Sequence, residues 1–305
     1  MNARNLIQLY KDGRRDFHSI KLRSFGNVFG ANLRGADLHD VDFSGADLRM
    51  IGLQNANLMN ADLRGANLNG ASMVGANLSG ADLRGASLVK TKLDMVDFSG
   101  SALNDFTRIS SKYKLIWRIV NSGDISCIDL RKIKLTNAYL KGVDLAGVDL
   151  QKIKFTNVNL ENADLRGANL ENALLKKVKL KGAKLQKANM CATRLLGVDF
   201  SEANLYQVNL ERTWIDSFSG QKTSFRNANL RETNVQETWF EAADLRAADL
   251  RRANFTGTKV RRSTDWDDAD LREAILDEAT FIIYYKHGAI IRLVDALKTY
   301  YSVYL

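Results

Sequence analysis

The chain has 305 residues, and its 44 Lys and Arg against 35 Asp and Glu give a formal net charge of +9. Its two cysteines are too few for a disulfide framework, and no stretch of about 18 apolar residues is present to span a bilayer. Charged residues within and after the first apolar run are unlike a secretory signal or a transit peptide, so we expect a cytoplasmic protein.

The first element in chain order is a short helix within residues 1–14, which we expect to form an N-terminal cap. Leu6, Ile7 and Tyr10 fall on one side of this helix, and Gly13 suits its end. The apolar side is expected to cover the start of the repeat that follows.

Residues 15–105 carry a five-residue repeat. From Leu33 to Leu103 a Leu, Phe or Met stands at every fifth position, and a small residue, most often Ala, stands two positions before it. In an extended chain these two residues share one face, so both can point inward. Because five is odd, the chain must turn once in each unit to bring the next large residue inward. The pattern therefore predicts stacked coils that bury a column of apolar side chains.

Residues 106–127 interrupt the repeat with a predicted helical insert. Its apolar residues recur at helical spacing and form a stripe that must be buried: Ile109, Tyr113, Ile116, Trp117 and Val120. Either this helix lies on the flank of one continuous rod or it separates two stacks of coils, and we favour the flank.

The repeat resumes over residues 128–281, and its most disturbed stretch is TWIDSFSGQKTSFRN, residues 213–227. There Phe218 stands at a small site, and Gly220 stands at a large one. We predict that about five residues within 216–222 leave the wall as a loop. Such a loop would bring Trp214 and Trp239 onto the same face, one coil apart, as a candidate binding site for a protein partner.

Residues 282–305 lose the five-residue period and carry an apolar stripe at helical spacing. This pattern predicts a C-terminal helical cap. Its apolar surface exceeds what the rim of one coil can bury, which predicts a homodimer through this helix.

The units with sequence ADL, as at residues 36–38, 61–63 and 163–165, resemble those of pentapeptide-repeat proteins. The N-terminal segment and the helical insert are similar to segments of cyanobacterial members. The resemblance implies an all-β fold, a right-handed quadrilateral β-helix with four pentapeptides in each of about twelve coils. Leu and Phe would fill its interior.

No group of residues suggests catalysis, so we expect a protein that is not an enzyme and that holds no cofactor. The three histidines are scattered, and the many Asp residues occupy an outward position of the repeat. His18 and His39 should stack on one face with Asp16 and Asp37 beside them. Two His and two Asp could bind a metal, but a chance alignment of repeats is favoured, and no metal site is assigned.

Positive charge is concentrated in residues 128–190, which hold thirteen Lys and Arg against six Asp and Glu. Lys132 and Lys152 are twenty residues apart, as are Lys134 and Lys154, so each pair should stack on one side of a four-sided coil. An ordinary solvated surface is one interpretation; a patch for an acidic partner is the other. The candidate partner-binding residues are thus Lys132, Lys134, Lys152, Lys154, Trp214 and Trp239.

These observations predict a scaffold or protein-protein interaction protein whose unidentified partner is a protein, acidic if it binds the lysine patch. One alternative is binding of a polyanion or an anionic membrane through the lysine patch. Nucleic acid is the weakest of these ligands, because the patch has no clustered aromatic residues. A second alternative follows from quinolone-resistance members of the family, which are thought to imitate DNA on gyrase. Such DNA mimicry requires a surface dense in carboxylates, and the basic middle of this chain argues against it.

Overall fold

A computed structural model describes residues 3–21, 28–122, 125, 128–216, 220–235, 239–240, 242–256, 258–260 and 264–275. The chain divides into two compact units. The first comprises Met1–Ile125 with Asn137–Leu140, and the second comprises Ser126–Thr136 with Lys141–Leu305. Within the described part of the chain, neither helix has the length and apolar character needed to cross a membrane.

The regular elements are two short helices and seven short strands. They are α1 (Ala3–Lys11), α2 (Ser111–Asn121), β1 (Lys134–Tyr139), β2 (Lys154–Asn159), β3 (Leu174–Lys176), β4 (Arg194–Leu196), β5 (Trp214–Asp216), β6 (Trp239–Phe240) and β7 (Lys259–Val260). Strands β1 to β5 form one sheet in chain order, and β6 pairs with β7. Pairing is parallel, as where Leu174 lies beside Arg194 and Arg194 beside Trp214.

Each five-residue unit turns the chain once, as the sequence predicts. In the unit around Leu63, both Leu63 and Ala61 are fully buried. The amide of Ala66 donates to the carbonyl of Leu63 at 3.0 Å, which closes a four-residue turn. Its third residue, Gly65, has a φ of +64°, a left-handed conformation that glycine adopts without steric strain. The turn is what keeps every large residue on the inside.

Successive coils stack with an offset of twenty residues, so each coil contains four units. The amide of Leu63 donates to the carbonyl of Asp82 at 2.9 Å, and the amide of Asp82 donates to Ala61 at 2.9 Å. Leu83 is as fully buried as Leu63. These ladders confirm the predicted four-sided parallel β-solenoid, while the count of about twelve coils stays a prediction.

Both helices pack on the first unit through side chains that reach the repeat backbone. In α1, Leu6 is fully buried, and the hydroxyl of Tyr10 donates to the carbonyl of Arg34 at 2.8 Å. In α2, Trp117 Nε1 donates to the carbonyl of Ser101 at 2.9 Å. The deeply buried residues of α2 are Ile116 and Ile119, of which the predicted stripe contains only the first.

The ladder of the first tract continues past residue 105, where the sequence pattern ends it. Leu103 is only partly buried, whereas Thr107 is buried and donates its hydroxyl to the carbonyl of Leu83 at 2.9 Å. Ser87 pairs with Arg108, an offset of twenty-one residues rather than twenty. Asp82 still pairs with Ala102 at the usual offset of twenty, so the extra residue lies between Ala102 and Arg108.

The predicted loop within residues 216–222 is wrong. Asn204 pairs with Ser224, and Trp214 pairs with Asn234, so the offset stays at twenty on both sides of residues 217–219, which lie outside the described residues. Gly220 is buried at the large site of its unit. The equivalent sites twenty residues before and after hold large phenylalanine side chains, both 1% exposed: Phe200 and Phe240. Bulk at the equivalent sites of the adjacent coils thus compensates for the missing side chain, and the offset of twenty residues is kept on both sides of it.

The predicted C-terminal helix over residues 282–305 lies outside the described residues, as does Cys127. The homodimer that depends on this helix stays a prediction. The same holds for the choice between one continuous rod and two stacks.

Candidate protein-interaction face

Many outward Asp residues of the repeats are paired with an Arg residue of their own unit. In the unit around Leu165, Asp164 accepts a hydrogen bond from the backbone amide of Arg166 at 3.1 Å, which forms a local turn. Arg166 also donates from Nε at 2.9 Å and from Nη2 at 2.6 Å to the two carboxylate oxygens. These bonds lower the pKa of Asp164. The same two-point pairing joins Asp62 to Arg64, Asp82 to Arg84, Asp244 to Arg246, Asp249 to Arg251 and Asp270 to Arg272.

Among the described residues, two sides of the second unit carry no Asp–Arg pair, and we call one of them the β1–β5 face. It is defined by the outward residues of strands β1 to β5. Each strand begins with an outward residue, and register places these residues next to one another, Lys154 beside Leu174, Leu174 beside Arg194 and Arg194 beside Trp214. Lys134 precedes them at the start of β1, where the amide of Lys154 donates to the carbonyl of Ile133 at 2.8 Å. The first column therefore alternates cationic and apolar side chains over its last four residues.

A second outward column runs beside the first, two residues further along each strand. It consists of Thr136, Thr156, Lys176, Leu196 and Asp216. The face thus carries four cations, Lys134, Lys154, Lys176 and Arg194, and one carboxylate, Asp216. Among the described residues, none of these four cations forms an ion pair with a carboxylate, in contrast to Arg166, Arg246 and Arg251 on other sides.

The β1–β5 face is also where the second unit exposes large apolar side chains. Trp214 is 49% exposed, and Leu174 and Leu196 are half-buried. The column continues through Asn234 and Asn254 to Ile275, which is 57% exposed. Within the described residues of this unit, Trp214 and Ile275 are the two large apolar side chains with the greatest exposure. Leu174 and Trp214 occupy the outward position before the large residue of the unit, where Asp or Asn is usual, and Leu196 occupies the position after it, where other polar residues are usual.

The four candidate lysines lie together. Lys132 and Lys152 occupy the turns that precede β1 and β2, and with Asp129, Arg131 and Gln151 they line a shallow depression. Lys134 and Lys154 follow two residues later on the β1–β5 face. Since neighbouring strands are about 4.8 Å apart, Trp214 lies about 14 Å from Lys154 along the first column. The structure therefore joins the lysine patch and Trp214 in one surface.

Trp239 does not belong to this surface, so the prediction that the two tryptophans share a face is wrong. It begins β6 and pairs with Lys259, whereas Trp214 pairs with Asn234. The two residues are twenty-five apart, and one unit beyond a full coil places Trp239 on the next side. The expectation failed because it depended on removing five residues as a loop.

Leu174, Arg194 and Leu196 are surface residues that sequence reasoning missed. Their signal is present in the sequence, because each stands at an outward repeat position where Asp, Asn or another polar residue is usual.

His18 and His39 stack as predicted, with ring centroids 4.9 Å apart and planes 10° from parallel. His18 donates from Nδ1 to Asp16 at 2.5 Å, and His39 donates from Nδ1 to Asp37 at 2.8 Å. The Asp37 carboxylate raises the pKa of His39, and the imidazole in turn lowers the pKa of Asp37. Because the two rings are nearly parallel and both Nδ1 atoms are bonded to Asp, the lone pairs of the two Nε2 atoms point in parallel directions and do not converge on one metal ion. No cluster of three or more potential metal ligands occurs within the described ranges.

The twenty-residue coils and their outward columns define a β-solenoid built from five-residue repeats. The chain belongs to the pentapeptide-repeat family. Eight copies of the family model, described as pentapeptide repeats, match residues 29–50, 53–80, 74–105, 124–162, 133–172, 153–191, 173–212 and 223–262. No curated protein matches the sequence.

Three solved structures illustrate the similarity to other pentapeptide-repeat proteins. The chain is 24% identical to HetL, a pentapeptide repeat protein involved in heterocyst differentiation regulation from the cyanobacterium Nostoc, over 90% of this chain and 95% of that chain, with a TM-score of 0.41. Full-length QnrB1, a plasmid-mediated fluoroquinolone resistance protein, is 14% identical over 89% and 98%, with a TM-score of 0.29. Rfr23 from the cyanobacterium Cyanothece is 22% identical over 45% and 90%, with a TM-score of 0.20.

Proposed function

We propose that this protein is a non-enzymatic interaction or scaffold protein of the cytoplasm, and that it binds a partner protein through the β1–β5 face. The observation that carries the proposal is the contrast between sides of the solenoid. Asp–Arg pairs lie on two other sides of the second unit, whereas four cations and the exposed Trp214 share a face on which those cations form no ion pair with a described carboxylate. Trp and Arg, the residue types of Trp214 and Arg194, are enriched among residues that dominate binding energy.

The backbone beneath this face supports the proposal because it is fixed before a partner arrives. Leu175 and Leu195, the inward residues of β3 and β4, are each 1% exposed. Parallel ladders hold β2, β3 and β4 to a neighbouring strand on both sides. A partner therefore needs to order only side chains, which lowers the entropy lost on binding.

Imitation of DNA is not supported by the outward residues. A DNA mimic presents rows of free carboxylates, but in this chain outward carboxylates such as Asp164 and Asp249 are bound by Arg residues of the same unit. Binding of a polyanion or of an anionic membrane remains the second candidate function, because the unpaired lysines favour it.

The test is site-specific photo-crosslinking in cells that express the chain natively. A photoreactive phenylalanine analogue at Thr156 lies on the β1–β5 face, and the matched control at Ala146 lies half a coil away on the opposite side. We expect a discrete protein adduct from position 156 and none from position 146. Equal adducts at both positions, or none at either, would overturn the proposal. Unchanged melting by circular dichroism verifies that both variants fold.

A further inference from the structure

We propose that the partner segment that binds the β1–β5 face is an acidic amphipathic helix, lying along the direction in which the coils stack. This inference rests on the proposed function and specifies the chemistry of the partner.

The charge of the face requires an anionic partner. Lys134 and Lys154 start neighbouring strands, about 4.8 Å apart, and at this separation two ammonium groups in water repel by about 1 kcal/mol. Lys132 and Lys152 repeat the arrangement in the adjoining turns. Carboxylates placed between these side chains would relieve the repulsion and gain hydrogen bonds.

The apolar residues of the face require that the partner also carries apolar side chains. Lys154 is followed by Leu174, Arg194 and Trp214, so a cation and an apolar side chain alternate. A nucleic-acid backbone would satisfy the cations but would leave Leu174 and Trp214 facing phosphates. On a bilayer, the half-buried Leu174 and Leu196 could not reach past the headgroups, since Trp214 alone of the three is more than a third exposed. A protein segment that alternates acidic and apolar residues satisfies both.

The spacing of the column fits a helix better than a strand. Three intervals between strands span about 14 Å. Three turns of an α-helix span about 16 Å, a mismatch that flexible Lys and Arg side chains can absorb. In an extended strand, alternate residues on one side are about 6.7 Å apart, and three such intervals span about 20 Å. The distance from Lys134 to Trp214, about 19 Å, corresponds to about thirteen helical residues.

A designed peptide tests this inference on the full chain. The probe is a fluorescein-labelled, alanine-based helix of sixteen residues with Glu at positions 1, 5 and 12 and Leu at positions 8 and 15. A scrambled peptide of the same composition removes the common face. Further probes are a fifteen-nucleotide single-stranded DNA and vesicles with 30% phosphatidylserine.

We expect the helical peptide to bind in a fluorescence-polarisation titration and the scrambled peptide to bind at least tenfold more weakly. Trp214→Ala and the double variant Lys134→Glu with Lys154→Glu should each weaken binding at least tenfold. The charge-matched control, Lys187→Glu with Lys222→Glu, reverses two exposed lysines on other sides and should change affinity less than threefold. Unchanged thermal melting of each variant separates a binding effect from loss of the fold.

Two results would overturn the helix inference. One is equal binding of the helical and scrambled peptides, or no binding of either. The other is that the DNA or the vesicles bind more tightly than the peptide, and that Trp214→Ala leaves this binding unchanged. Such a result would identify the face as a polyanion-binding or membrane-binding surface instead. The crosslinking experiment decides the proposed function separately, since an adduct at position 156 would stand even if the peptide failed to bind.

Discussion

Asparagine side chains form a ladder along one side of the second unit, and replacing its central member should destabilise the solenoid. Asn209 donates from Nδ2 to Asn189 Oδ1 at 3.2 Å, and Asn229 donates from Nδ2 to Asn209 Oδ1 at 3.1 Å. The same Oδ1 accepts from the backbone amide of Glu211 at 3.1 Å. Asn209→Ala removes all three bonds and leaves the partners' polar groups half-buried.

The magnitude follows from the number of bonds. A typical hydrogen bond contributes about 1 kcal/mol net to the free energy of unfolding, so the loss of three bonds would cost about 3 kcal/mol. Because water can reach the half-exposed side chains, we expect Asn209→Ala to lose about 2 kcal/mol. Asn204→Ala is the matched control, because the structure gives Asn204 the turn bond to the amide of Tyr206 at 3.0 Å and no asparagine above or below it. We expect this control to lose about 1 kcal/mol.

The assay is guanidinium unfolding followed by far-UV circular dichroism, with the midpoint compared if the transition is not two-state. Asn209→Asp adds a third arm, since its carboxylate keeps both acceptor bonds but loses the donor and faces the oxygen of Asn189. We expect its stability to lie between wild type and Asn209→Ala. If Asn209→Ala and Asn204→Ala destabilise the protein equally, the ladder contributes nothing and the reasoning is refuted.

Three further predictions concern the first unit. His39→Ala should lower the free energy of unfolding more at pH 5.5 than at pH 8.5, because the pKa of His39 is raised in the folded state. The stabilisation from protonated His39 is fully present below the unfolded pKa of about 6.5 and is lost as pH rises through the folded pKa. Equal losses at the two pH values in urea titrations would contradict this. Gly65→Asn should retain near wild-type melting while Gly65→Val loses about 1–2 kcal/mol by circular dichroism, since only Val resists a φ of +64°. Trp117→Phe should cost about 1 kcal/mol in urea unfolding by losing the bond to Ser101, and an unchanged midpoint would exclude that bond as a contributor.

The interior of the solenoid could be predicted from the sequence because it depends on one local rule. A large residue at every fifth position, with a small one two before it, places Leu63 and Ala61 inside without any knowledge of neighbouring coils. The parallel ladder with an offset of twenty follows from the four-sided coil that the family resemblance implies. Even the stacking of His18 on His39 followed from counting repeats.

The errors arose where one coil compensates for another. Gly220 breaks the local rule, and an isolated unit with glycine at its large site would lack a core. Phe200 and Phe240, twenty residues away in each direction, supply the missing bulk, which no reading of a single unit reveals. The alignment of Lys154 with Trp214, sixty residues and therefore three whole coils apart, follows from the same counting of repeats, but the lysine patch and the tryptophans were treated as separate sites. The Asp–Arg pairing was missed because it depends on side-chain geometry rather than on repeat spacing.

The turn that closes every unit gives the interior and the exterior of this solenoid different tolerances to length changes. An insertion of five residues adds one inward Leu and one turn, so the apolar column would survive. The same insertion between Leu196 and Trp214 would carry the indole to the neighbouring side of the coil and would separate it from Lys154. Only insertions in multiples of twenty preserve the surface. Length variation among chains of this architecture should therefore reveal which surfaces are under selection: a chain that varies in steps of five preserves only its fold, whereas one that varies in steps of twenty preserves a binding partner.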